Sequence, residues 1–269
     1  MNQKLIAIDL DGTTLNANSE LTQETIDTLH AVQKLGHKVA IVTGRPYRSS
    51  KEIYNQLNLG GPIVNFNGAL CHIPSKPEWD GRYHITLDTD LVLDLVAFNK
   101  TLPVDYLMVE GTELMYSNIT ELPDCPYYPK DQKPLLIHPT TKLKEKPTAV
   151  ALFSDLELQS EIKKKILHRY NNGIEVRTWG GSYPCLEVIT RGIHKAKAVE
   201  HLSRYYDIQQ EDILAFGDED NDLEMIQYAG HGVAMQNGID ELKNVANAIT
   251  PFTNDQNGLA KYLQDYFKL

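Results

Sequence analysis

Four aspartates, a lysine and a threonine–glycine pair are the residues of this 269-residue chain whose types and spacing could do chemistry. Asp9-Leu10-Asp11-Gly12-Thr13 closes one short apolar run, and Gly217-Asp218-Glu219-Asp220-Asn221-Asp222 closes another. Asp9 and Asp11 are two apart, so an extended backbone sends both carboxylates from one face. A nucleophile and an acid/base serving one reacting centre can use that spacing. Thr43-Gly44-Arg45 closes a third apolar run. A hydroxyl and backbone N–H groups at the start of a helix make a cradle for an anion such as phosphate. Lys195 opens a later helix; taken alone, such a lysine reads as solvated surface. Were Asp9, Asp11, Asp218 and Asp222 to converge, their repulsion would call for a cation. Carboxylate oxygens with no histidine or cysteine cluster favour Mg²⁺.

Convergence depends on the elements that carry these residues. Residues 4–8, 38–42 and 62–66 are short apolar runs, and helical patterns separate them. The first of these begins near Thr22, an N-cap candidate, with Leu21 and Ile26 as a hydrophobic staple and Gly36 at the C-terminal end. Continuous apolar strands alternating with helices mark a parallel sheet covered on both faces. From about residue 83 to 190 the pattern changes to mixed strands at 84–87, 105–110, 113–116, 149–153, 174–178 and 185–189. Helices are expected there at 91–99 and 156–170. Six of the thirteen prolines fall in 122–147, so that stretch reads as an extended, irregular connection. The first pattern then resumes: helix 196–205, strand 212–216, helix 223–229, strand 232–235 and helix 259–267. The fold expected is α/β, a Rossmann-like parallel-sheet core (residues 1–82 and 191–269) with an inserted α+β cap (83–190). In an open α/β sheet ligands bind beyond the carboxyl ends of the strands, where the three polar clusters lie.

Composition narrows the function. Net charge is −10, which argues against nucleic acid and anionic membranes as partners. No apolar run reaches transmembrane length. Cys71, Cys125 and Cys185 form no CxxC pair, and the N-terminal residues lack a secretory h-region, so a cytoplasmic protein with reduced thiols is expected. It would be a monomer or a homodimer.

Asp9-Leu10-Asp11-Gly12-Thr13, Thr43-Gly44-Arg45, Lys195 and Gly217-Asp218-x-x-Asn221-Asp222 resemble, in order and spacing, the four motifs of the haloacid dehalogenase-like superfamily. The Asn65-Phe66-Asn67-Gly68-Ala69 segment, the insert after it, Gly232-Val233-Ala234-Met235-x-Asn237-Gly238 and Asn257-Gly258-Leu259 are similar to the Cof-type phosphatase branch. The resemblance covers essentially the whole chain. It implies a Mg²⁺-dependent phosphatase acting on a small phosphorylated metabolite such as a sugar phosphate. Asp9 would be the nucleophile and carry an aspartyl-phosphate, with Asp11 as general acid and base. Asp9, the backbone carbonyl of Asp11 and Asp218 would hold Mg²⁺, supported by Asp222. Leu10, Thr43, Gly44, Lys195 and Asn221 would bind phosphoryl oxygens. Where the branch has a glycine after its motif lysine, this chain has Ala196, and Lys197 stands two residues on. Lys195 is preferred because Ala198-Val199 then falls on the branch's Ala-Leu pair.

The cap would choose the substrate, with His84, Tyr116, Arg177, Trp179, Tyr183 and Glu187 as candidate contacts. Arg45 either touches substrate or forms a surface ion pair. Three rival activities share parts of this residue set. A phosphomutase would use the same aspartates, a dehalogenase would need neither Asp11 nor a metal, and a sensor would bind a phosphorylated ligand without turnover.

Overall fold

The computed structural model describes residues 2–123, 133–170, 173–179 and 184–269. In chain order the strands are β1 (Leu5–Ile8), β2 (Lys38–Val42), β3 (Ile63–Asn65), β4 (Leu70–His72), β5 (Tyr83–His84), β6 (Tyr106–Glu110), β7 (Met115–Ser117), β8 (Leu135–Leu136), β9 (Ala149–Phe153), β10 (Ile174–Trp179), β11 (Cys185–Thr190), β12 (Ile213–Gly217), β13 (His231–Ala234) and β14 (Ala248–Ile249). The helices are α1 (Gln23–Lys34), α2 (Tyr47–Leu57), α3 (Thr89–Phe98), α4 (Leu156–Tyr170), α5 (Lys195–Tyr206), α6 (Leu223–Tyr228), α7 (Asp240–Val245) and α8 (Gly258–Phe267).

The chain divides into two compact units. One comprises residues 1–45, 50–84 and 194–269; the other comprises 46–49 and 85–193. The first holds an eight-stranded sheet in the order β14-β13-β12-β1-β2-β3-β4-β5. Pairing is parallel from β14 to β3 and antiparallel over β3-β4-β5. Leu5, Ala7, Ala40, Val42 and Ala215 on one face pack with Ala198, Val199 and Leu202 of α5, Met225 and Ile226 of α6 and Leu242 of α7. The alternate residues Ile6, Ile8, Val39 and Ile41 are buried as well, and α1 packs against β2. Burial on both faces is why these strands read as unbroken apolar runs. Thr22 caps α1, its hydroxyl accepting from the Thr25 N–H, and Gly36 follows the helix at φ +93°.

The second unit is a six-stranded sheet in the order β10-β11-β9-β6-β7-β8, antiparallel except for the parallel β7-β8 pair. Val92, Leu95 and Val96 of α3 and Ile162 and Ile166 of α4 form one core with Leu107, Val109, Val150, Leu152 and Val188. On the other face Tyr106 stacks on Phe153 with ring centroids 4.3 Å apart.

The structure revises several sequence expectations. Tyr83–His84 does not open the inserted unit; it pairs with Leu70–Cys71 at the edge of the core sheet. The β4 hairpin partner and the short β8 and β14 were not anticipated, being too short to show periodicity. Of the proline-rich stretch, residues 124–132 lie outside the described residues, as does Tyr183. No helix among the described residues is long and apolar enough to cross a membrane.

Candidate active site

Ile8 of β1 is level with Phe216 of β12 on one side and Ile41 of β2 on the other. The next residues along these strands therefore emerge at one sheet end. They are Asp9 after β1, Asp218 after β12 and Thr43 after β2, all buried. Carboxylate oxygens of Asp9, Asp218 and Asp222 lie within 4.8 Å of one another. Lys195, in the first turn of α5 and fully buried, donates from Nζ to Asp9 Oδ1 (2.6 Å) and to Asp222 Oδ1 (2.7 Å). Lys197, the other candidate, is exposed. Asp222 spends its second oxygen on the backbone N–H groups of Asp218 (3.0 Å) and Glu219 (3.2 Å). It therefore anchors Lys195 and the Asp218 turn together. Asp218 accepts from the Thr13 hydroxyl at 2.8 Å.

Two glycines make this approach possible. Gly12 has φ +69°, and a β-carbon there would overlap the Asp218 carboxylate. A β-carbon on Gly217 would overlap Asp222 in the same way.

The three carboxylates face a single ammonium, which leaves two negative charges unmatched when all are ionised. Burial pushes Asp9 well above the usual carboxylate range; Lys195 opposes that rise, and Asp222, Asp218 and Asp11 add to it. Burial and the neighbouring Asp222 push Asp218 up to about 7. Burial alone would pull the Lys195 ammonium down, but Asp222 and Asp9 outweigh it and hold the pKa above its ordinary value. An all-oxygen donor set with surplus negative charge fits a hard divalent cation such as Mg²⁺.

Asp11 is not part of this trio. Its side chain is half-exposed and held in a forked ion pair by Arg45, whose Nε donates at 2.7 Å and whose Nη2 reaches the other oxygen. Its carboxylate thus stands apart from the three gathered ones, although the sequence had all four aspartates converging. Arg45 takes the ion-pair alternative.

The residues expected to bind an anion stand as follows. The N–H groups of Leu10 and Gly44 have no acceptor among the described residues. The Thr43 hydroxyl accepts from the Arg45 N–H at 3.1 Å. Asn221 Nδ2 donates to Asn67 Oδ1 at 3.0 Å. Asn67 had drawn attention only as part of a motif; its role in seating Asn221 needs the fold to be seen. Buried Arg48, paired with Glu110 in the second unit, was also missed, since arginines on polar helices are usually solvated.

The expected specificity residues fare unevenly. Tyr116 is buried, its hydroxyl accepting from the Lys144 N–H. Arg177 binds Glu175 and the Ile193 carbonyl, and Trp179 Nε1 donates to Glu187 at 3.3 Å. A cavity of about 490 Å³ bordered by Lys38, Pro62, Trp79 and Tyr205 lies at the opposite ends of β2 and β3 and takes no part in this site.

A family model described as haloacid dehalogenase-like hydrolase matches residues 6–263. The 5-amino-6-(5-phospho-D-ribitylamino)uracil phosphatase YitU of Bacillus subtilis (strain 168) is 38% identical over 266 residues, 98% of each chain. YwtE of the same organism, a phosphatase named for the same compound, is 28% identical over 97% of this chain and 96% of its own. A haloacid dehalogenase-like hydrolase from Bacteroides thetaiotaomicron superposes with a TM-score of 0.81 at 22% identity, covering 99% of this chain and 100% of that one. The strand order, the inserted α+β unit and a family match spanning nearly the whole sequence agree: the chain belongs to the haloacid dehalogenase-like hydrolases, and within them to the phosphatases.

Proposed function

We propose that the protein is a Mg²⁺-dependent phosphatase that hydrolyses a small phosphate monoester through an aspartyl-phosphate on Asp9. The observation that carries this reading is the buried chain Asp9–Lys195–Asp222 with Asp218 beside it. Such a cluster is costly to bury and fits a site for a cation and a phosphoryl group.

The Asp9 carboxylate attacks phosphorus, and the ester P–O bond breaks. Asp11 gives its proton to the departing alkoxide, then takes one from the water that attacks the aspartyl-phosphate. Inorganic phosphate leaves and Asp9 is regenerated. Arg45 keeps the Asp11 side chain aligned between these two proton transfers. Lys195, Thr43, Asn221 and the N–H groups of Leu10 and Gly44 offer positive charge and dipoles to the phosphoryl oxygens. Asp9, Asp218 and the Asp11 carbonyl would hold Mg²⁺, with Asp222 fixing Asp218 and Lys195 from behind. When bound, the ion supplies positive charge that keeps Asp9 ionised and offsets charge on the phosphoryl group.

All these residues lie in the first unit. We assign catalysis to it, and substrate choice to the inserted second unit, whose main segment is residues 85–193. The names of YitU and YwtE make a ribityl phosphate the first substrate to try. The test is phosphate release from a panel of phosphorylated polyols, sugars and nucleotides, with Mg²⁺ and with chelator. Mg²⁺-dependent release is expected. An isomerised sugar phosphate without phosphate release would instead mark a mutase, and binding without turnover a sensor.

A further inference from the structure

The segment after β3 has an unusual backbone. Phe66 (φ 51°), Asn67 (φ 54°) and Gly68 (φ 110°) all have positive φ, and Phe66 and Asn67 are buried. Bulky residues rarely adopt this conformation, and strain of this kind gathers at functional sites. The contortion knits the segment to the anion cradle. The Asn67 N–H donates to the Thr43 carbonyl (3.1 Å) and the Phe66 N–H to the Arg45 carbonyl (3.3 Å). Asn65 Nδ2 donates to the same Arg45 carbonyl (2.9 Å). A β-carbon on Gly68 would press on the backbone of His194, the residue before Lys195. One short turn thus touches the Thr43 loop, the Asn221 side chain and the start of α5.

Asn67 is 1% exposed, yet its Nδ2 has no hydrogen-bond partner. A buried amide donor left unpaired is unfavourable, and such groups call for an explanation. Its Oδ1 is used by Asn221. Asn67 Oδ1 stands 3.1 Å, Nδ2 3.3 Å and Asn221 Nδ2 3.5 Å from the point where a β-carbon on Gly44 would sit. The Gly44 N–H beside them also lacks an acceptor among the described residues. The unpaired Asn67 Nδ2 and the Asn221 amide therefore both border the Gly44 turn.

We propose that Asn67 is a further phosphate-binding residue: its Nδ2 donates to a phosphoryl oxygen while its Oδ1 sets the angle of Asn221. The assignment rests on the phosphatase reading and deepens it. It also gives the strained turn a use, because this backbone brings Oδ1 to Asn221 and leaves Nδ2 unpaired beside Gly44.

Two substitutions tolerate the left-handed backbone and separate the roles. Asn67→Gly removes the whole amide. Asn67→Asp keeps an acceptor for Asn221 but replaces the donor with a carboxylate. Binding of inorganic phosphate is measured by calorimetry with Mg²⁺ present, alongside melting temperature and turnover. Both variants are expected to bind phosphate about tenfold or more weakly, with Asn67→Asp at least as weak as Asn67→Gly. Should Asn67→Gly melt early, Asn67→Asp carries the test. Wild-type affinity in both variants, or in Asn67→Asp alone, overturns the proposal, since an acceptor or a turn would then suffice. A wild-type protein that hydrolyses substrate and binds phosphate, with variants to match, defeats the Asn67 assignment alone. A wild type that neither binds phosphate nor releases it removes the phosphatase reading and this assignment together.

Discussion

At the scale of single residues, the site separates two carboxylates by environment. Asp9 is buried against Lys195, while Asp11 is half-exposed and held by Arg45. Asp9→Asn is expected to reduce turnover by on the order of 10⁴-fold. Phosphate-release rates beside a melting curve check this; near-wild-type rates would exclude Asp9 as nucleophile. Asp11→Asn should discriminate among leaving groups. Hydrolysis of an alkyl phosphate should fall much further than that of p-nitrophenyl phosphate, whose phenolate departs without a proton. Equal losses on both substrates would remove Asp11 from the role of acid. Lys195→Ala leaves buried carboxylates without their cation, so in chelator near neutral pH it should cost about 3–5 kcal/mol of stability. Urea unfolding measures it, and a loss within experimental error would mean the pair is not formed. Asp9, Asp11, Asp218 and Asp222 stand out in the sequence because they fall in two acidic clusters, each containing a glycine, that close apolar runs. Arg48 and the free amide of Asn67 were not, because burial of a polar side chain is decided by its distant neighbours.

At the scale of elements, strand termini and tight turns do the positioning. The parallel β12-β1-β2 trio was readable from its apolar runs, and the level register of Ile8 with Phe216 and Ile41 turns three sequence motifs into one site. Short, irregular pieces escaped, among them β4 and the turn at Phe66–Gly68. The turn's form follows from contacts with the Thr43 loop, and that of β4 from pairing with β3 and β5, rather than from any local pattern. The loop after β1 offers a direct test. Gly12→Ala meets both a positive φ and the Asp218 carboxylate. It should push Asp218 aside and weaken Mg²⁺ binding by about 10–100-fold, the range for losing a partner that orients a ligand. Calorimetric titration with Mg²⁺ reports it, and an unchanged affinity would show that Asp218 does not depend on this close approach.

At the scale of the whole molecule, cation binding and stability are linked. Asp218 has a folded pKa raised to about 7 from an ordinary value near 3.8, mainly by burial. Between those two values the unfolded chain has lost its proton while the folded one keeps it, so this group erodes stability as pH rises through that window. Asp9 acts in the same direction. A divalent cation reverses the effect by favouring the ionised carboxylates. The melting temperature gained on adding Mg²⁺ over chelator should therefore grow from pH 5 to pH 8. A gain that is flat or shrinks across that range would mean the cation does not bind at these aspartates. The sheet order has another outcome, which concerns the making of the chain rather than its chemistry. β1, which leads to Asp9, pairs on one side with β2 and on the other with Ile213–Phe216. On the ribosome that second edge stays open while the entire inserted unit emerges, and open strand edges invite unwanted pairing. The strand that leads to Asp9 is thus made long before the strand that encloses its second edge.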